Sequence, residues 1–124
     1  MNTERVIQLA DAVERIQHVT FDMSQWGRLT PDGIKLCMGG IAAALWPEEL
    51  FLEERSWELG NYMLFNRNTN HFRRFGWEAM AEVLSIELGA AFELFANNNE
   101  RPLDRAYHAN RLRQFVSNAQ RSTE

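Results

Sequence analysis

Three sets of residues carry groups able to do chemistry. The first crowds positions 66–74: Asn66, Arg67, Asn68, Asn70, His71, Arg73 and Arg74. Arginine forks bind phosphate or carboxylate in bidentate fashion, and asparagine amides read the edges of a base or ribose. If a helix opens just after this run, its first amide groups point toward any bound anion. The pattern fits a nucleotide, or the phosphates of a nucleic acid; it fits equally a solvated cap whose arginines pair with the acids at 48–58.

The second set is Glu87, Arg105 and His108. On a helical wheel Glu87 falls among the apolar positions Gly76, Met80, Val83, Leu84, Ala91 and Leu94, so a carboxylate faces the core. A buried carboxylate needs a basic partner or a proton. Arg105 and His108 share an arc with Leu112, Phe115 and Val116, so Glu87–Arg105 or Glu87–His108 is the expected pair. Such a pair is an interhelical tie or, in a third reading, the acid/base centre of an enzyme. The third candidate is Cys37, the only cysteine. It is the sole thiol nucleophile available, with His18, His71 and His108 as bases, or a small buried hydrophobe. No catalytic residue and no metal ligand is assigned: paired Cys/His spacing, phosphate-binding loops and nucleophile elbows are missing, and no cofactor is implied.

The elements that must position these groups read as helices. Val6, Leu9, Val13 and Ile16 recur at steps of three and four after Asn2 or Thr3, predicting a helix over 3–19. Positions 20–28 form an irregular segment anchored by Phe21, Met23 and Trp26. Thr30, Pro31 and Asp32 have the chemistry of a helix start, so a second helix is expected to about Leu45. Gly39 and Gly40 inside it cost about 1 kcal/mol each against alanine, which calls for close packing there. Pro47 with Glu48 and Glu49 opens a third helix toward Phe65, with apolar residues all around its wheel and a break near Gly60. A long helix over 72–95 and a last one from Pro102 to about Val116 complete the chain. The expectation is an all-α, compact single-domain bundle of about five helices over residues 1–124, with no sustained period-two alternation.

Composition narrows the partners. The 124 residues are 45% apolar with a net charge of −4, a globular balance. Twelve of the 13 basic residues are arginine, Lys35 being the exception. Residues 1–65 hold 5 basic and 10 acidic groups, and 66–124 hold 8 and 7. A pI near 5.4 argues against indiscriminate nucleic-acid binding. A single cysteine and no long apolar run point to a cytoplasmic protein outside the membrane. The Gly39–Ala44 surface and the many aromatics suit a homodimer.

The residues Phe21-Asp22-Met23-Ser24-Gln25-Trp26-Gly27, followed by Asp32-Gly33-Ile34-Lys35-Leu36-Cys37-Met38-Gly39-Gly40-Ile41-Ala42, carry a resemblance over about a fifth of the chain. The stretch resembles F-x-M-x-x-W, spacer, C-G-T-x-x-C-x-x-G-x-A, a pattern in small bacteriophage and bacterial proteins of unassigned activity. Asp32 replaces the first cysteine and Ile34 the threonine, which removes any two-cysteine site. The resemblance implies a phage or mobile-element origin and a non-enzymatic binding protein that acts by stoichiometric contact with a host protein. The nucleotide or nucleic-acid binder built on 66–74 is the alternative.

Overall fold

The structure, a computed structural model, describes residues 1–17, 19–23, 26–55, 58–67, 76–96 and 101–122. Asn2 opens helix α1, Thr3–Arg15, by accepting the main-chain N–H of Arg5 at 3.1 Å. Val6, Leu9, Ala10 and Val13 form its buried stripe, as their spacing predicts.

The all-α expectation fails after α1. Five strands follow, β1 Val19–Phe21, β2 Gly27–Thr30, β3 Gly33–Leu36, β4 Leu50–Arg55 and β5 Glu58–Asn66, with helix α2, Met38–Leu45, between β3 and β4. They make one mixed sheet in the order β1-β3-β2-β5-β4, in which only β1 and β3 run parallel. Helices α3 Trp77–Leu84 and α4 Leu88–Ala91, a π-helical turn Phe92–Ala96, and α5 Arg105–Ser122 complete the described chain. The molecule is therefore a mixed sheet with helices, not a bundle.

Each departure has a local cause. Thr30-Pro31-Asp32 begins no helix: Pro31 and Asp32 form the two-residue turn of the β2–β3 hairpin, with Thr30 facing Gly33. Proline presets one turn position, and Gly33 takes φ 131°, a value side chains resist. The Thr30 hydroxyl donates to the Gly33 carbonyl at 2.8 Å and locks the turn. In β4 and β5 the apolar residues surround a helical wheel because both faces of a hairpin carry them. Leu50, Leu52 and Leu64 point one way, while Phe51, Met63 and Phe65 point the other. The expected long helix over 72–95 divides at Ser85, the left-handed C-cap of α3 at φ 55°.

Registry assigns the two faces of the sheet. Phe21, Leu36, Leu50 and Leu64, all in the core, share one face with Gly27. Helix α2 lies close against that face, Gly39 near Leu64 and Gly40 near Leu36. The outer face carries Thr20, Lys35, Arg28, Asn61, Met63, Phe65, Glu53 and Phe51, none of them fully buried. Among the described residues no helix is long and apolar enough to cross a membrane.

Candidate functional site

Several polar side chains gather where the start of α1, the end of α3 and the β4–β5 hairpin meet. Asn2, Arg5, Glu49, Asn66, Glu82, Val83 and Ser85 line a cleft of about 360 Å³ there. Arg5 is its hub. Its Nη1 donates to the Val83 carbonyl at 3.1 Å and sits 2.5 Å from Glu49 Oε2, while its guanidinium lies 5.2 Å from the centre of the Trp46 ring. The Val83 carbonyl belongs to the last turn of α3, where a cation is favoured by the helix dipole. Arg5 thus joins α1, α3 and the segment before β4. A second depression of about 540 Å³ shares Arg5 and Glu49 and adds Leu45, Trp46, Pro47 and Glu48.

Asn66 forms part of the cleft wall, 2% exposed, at the end of β5 opposite Leu50. Its sequence neighbour Arg67 is used elsewhere. The Arg67 Nε donates to the Pro47 carbonyl at 3.0 Å, its main-chain N–H donates to the Glu49 carbonyl at 2.8 Å, and its guanidinium covers Phe51 at 4.5 Å. The expected anion site therefore loses Arg67 to the β4 side of the hairpin. Asn68, Asn70, His71, Arg73 and Arg74 lie outside the described residues, as does His18.

The expected Glu87 pairing is corrected by the break at Ser85. The wheel assumed one straight helix, but Glu87 sits between two helices as the exposed residue before α4, with extended φ −69° and ψ 151°. Arg105 faces the other end of α1. Its guanidinium donates to the carbonyls of Val13, at 3.4 Å, of Ile16, and of Val19, at 2.8 Å. A single side chain of α5 thus closes the C-terminus of α1 and anchors edge strand β1. Further along α5, Arg113 pairs with Asp11 at 2.9 Å and with Glu14.

His108 is fully buried and contacts the Phe21 ring at 5.6 Å and the Tyr107 ring at 5.0 Å. Its Nε2 lies 2.9 Å from the Arg101 carbonyl, which can only accept, so Nε2 carries the proton. Nδ1 then has no hydrogen-bond partner among the described residues. Burial lowers its pKa from 6.5 and Arg111 adds to the fall, against the Arg101 carbonyl and Asp104. The unfolded chain therefore takes up the proton first, and stability attributable to His108 is lost as pH drops below about 6.5. Urea unfolding at pH 7.5 and 5.5 should show a lower midpoint at the acid pH, and His108→Gln should flatten that difference. An equal loss in the variant would acquit His108.

Cys37 has a structural position. It precedes α2 as the N-cap, its Sγ accepting the Gly39 N–H at 3.2 Å and contacting the Trp26 carbonyl oxygen at 3.7 Å. Burial pushes its pKa up to about 12, so the thiol stays protonated and is a poor nucleophile. Among the described residues no group of three or more His, Cys, Asp or Glu side chains is placed to hold a metal ion. In the cleft, the Ser85 hydroxyl has no hydrogen-bonded base among the described residues. What the arrangement can do is clamp elements together and hold a small polar guest. Arg5, Glu49, Glu82 and Ser85 escaped sequence reasoning because nothing in their local spacing marks them; 78 positions separate Arg5 from its acceptor Val83.

A different feature faces outward. Leu29 and Ile34 are direct cross-strand partners on the β2–β3 hairpin, 54% and 43% exposed. They continue the row Gly27–Leu36 of the inner face past the cover that the helices supply. Strand β5 pairs with β2 only at Gly27 and Arg28, so the outer half of the hairpin runs beyond that pairing. No known protein-family model, curated protein or solved structure matches the chain.

Proposed function

We propose that this is a non-enzymatic binding protein that acts by stoichiometric contact with a partner protein, presented to it by the β2–β3 hairpin. The observation that carries the reading is the paired exposure of Leu29 and Ile34 on a hairpin with a locked turn. Two aliphatic side chains held side by side on a hairpin whose turn is closed by a hydrogen bond form a ready contact at low ordering cost. Leu103, 65% exposed just before α5, lies two residues from Arg105, whose guanidinium holds Val19 in the strand beside β3. The phage-type motif of the sequence, which spans this hairpin, favours a host protein as the partner.

Leu29→Ser/Ile34→Ser removes the contact without touching the core. Captured from bacterial lysate on immobilised protein, a stoichiometric partner of the wild type is expected to be lost, on the order of 10-fold or more, from this variant. Circular dichroism and the thermal midpoint should remain those of the wild type. Equal capture by both proteins refutes the hairpin as the contact, and no stoichiometric capture by the wild type refutes the binding function itself.

A further inference from the structure

We infer that the hairpin engages an acidic protein surface through Arg28 and Lys35, an inference that rests on the partner-binding reading above. These residues are direct cross-strand partners on the outer face of the sheet, in the row Thr20–Lys35–Arg28–Asn61 that crosses four strands. Like charges placed opposite one another on a sheet repel. Among the described residues neither side chain has an ion pair or a hydrogen bond that would offset the repulsion.

Among the described residues Arg5 and Arg113 hold carboxylates and Arg67, Arg105 and Arg111 hold main-chain carbonyls, whereas Arg15 and Arg121 near helix ends, like Arg28, hold neither. What sets Arg28 apart is a second cation directly opposite it on the sheet. In a chain with a net charge of −4, an unopposed pair of cations stands out. Its natural complement is a carboxylate pair supplied from outside, which would relieve the repulsion on binding. The same hairpin carries Leu29 and Ile34 on its other face, so a partner that wraps the arm meets cations on one side and aliphatics on the other. That combination suits a folded protein with an apolar recess bordered by Asp and Glu. Nucleic acid suits it less, because a polyanion would meet only two cations of this row and the repulsive field of an acidic molecule.

The test uses the full chain and the partner captured above, identified and purified, with its Kd measured at about 50 and 500 mM salt. The inference expects Arg28→Glu/Lys35→Glu to weaken Kd by about 10-fold or more at the lower salt, because attraction becomes like-charge repulsion. It also expects the wild-type Kd to weaken at the higher salt and that of the variant to tighten, because salt screens attraction and repulsion alike. If the charge-reversed protein binds as well as the wild type while Leu29→Ser/Ile34→Ser does not, the acidic-surface inference fails and the binding function stands. If neither variant loses affinity, both fail. A twenty-nucleotide single-stranded oligothymidylate is the competing probe: tight wild-type binding that the charge reversal abolishes would overturn the choice of a protein partner.

Discussion

Gly40→Ala is expected to lower the unfolding free energy by about 1–3 kcal/mol, although alanine is the better helix former by ~1 kcal/mol. A Cβ at Gly40 would lie 2.6 Å from the Trp26 carbonyl oxygen, 2.7 Å from Leu36 Cδ2 and 3.0 Å from Leu36 Cβ. The oxygen belongs to main chain at the entry to β2, so it cannot swing aside as a side chain would. Gly39 makes the same argument with a ring: its Cβ would fall 2.3 Å from Trp26 Cζ3. The other side of that indole is close to Gly76, whose Cβ would be 3.3 Å away. Trp26 therefore lies in a slot that only glycines leave open. Gly89 is the control, because nothing lies within 4 Å of a Cβ placed there. Urea unfolding should show loss for Gly40→Ala and a neutral or slightly favourable result for Gly89→Ala. A stabilised Gly40→Ala protein would show that α2 does not lie against β3 and Trp26 at this distance.

Arg105→Met should cost roughly 2–3 kcal/mol, since hydrogen bonds from a charged donor contribute about 1.5–3 kcal/mol and those from one guanidinium do not add fully. Methionine fills similar volume but leaves the carbonyls of Val13, Ile16 and Val19 without this donor. It also removes the cation that favours the C-terminus of α1. Arg105→Lys should recover only part of the loss, because one ammonium cannot address three carbonyls spread along a helix end and a strand. Chemical denaturation supplies the energies, and amide hydrogen exchange supplies the location. Protection should fall first over 13–21. Uniform destabilisation with unchanged exchange at β1 would separate Arg105 from the strand it is seen to hold.

How far the chain announces this fold can be judged residue by residue. The run Val6, Leu9, Val13 named its helix and buried stripe, and Asn2 its cap. Thr30-Pro31-Asp32-Gly33 carried two signals, a helix start and a tight turn, and the turn prevailed because Gly33 supplies the positive φ that closes the hairpin. For residues 50–65 the scatter of apolar side chains around a wheel was itself the mark of a hairpin with apolar residues on both faces. The double glycine asked for a close neighbour, and one is present, but it is an indole and a main-chain oxygen instead of a second helix. Of the groups read as chemical, Asn66 reaches the cleft, Arg67 turns away, and Glu87 stays at the surface.

What the sequence determined alone is therefore what neighbours within about four positions can settle: the presence of the first and last helices, the cap at Asn2, the unpaired thiol and the acidic balance. Those features depend on backbone hydrogen bonds and side-chain contacts one turn apart. The helix ends are not among them, since α1 stops at Arg15 instead of 19 and α5 runs from Arg105 to Ser122 instead of from 102 to about 116. Only the tertiary structure decided the sheet order, the Arg5–Glu49 cleft, the Arg105 clasp and the isolation of Arg28 with Lys35. Each of these depends on which distant strand or helix end arrives alongside, and short-range spacing does not encode that arrival.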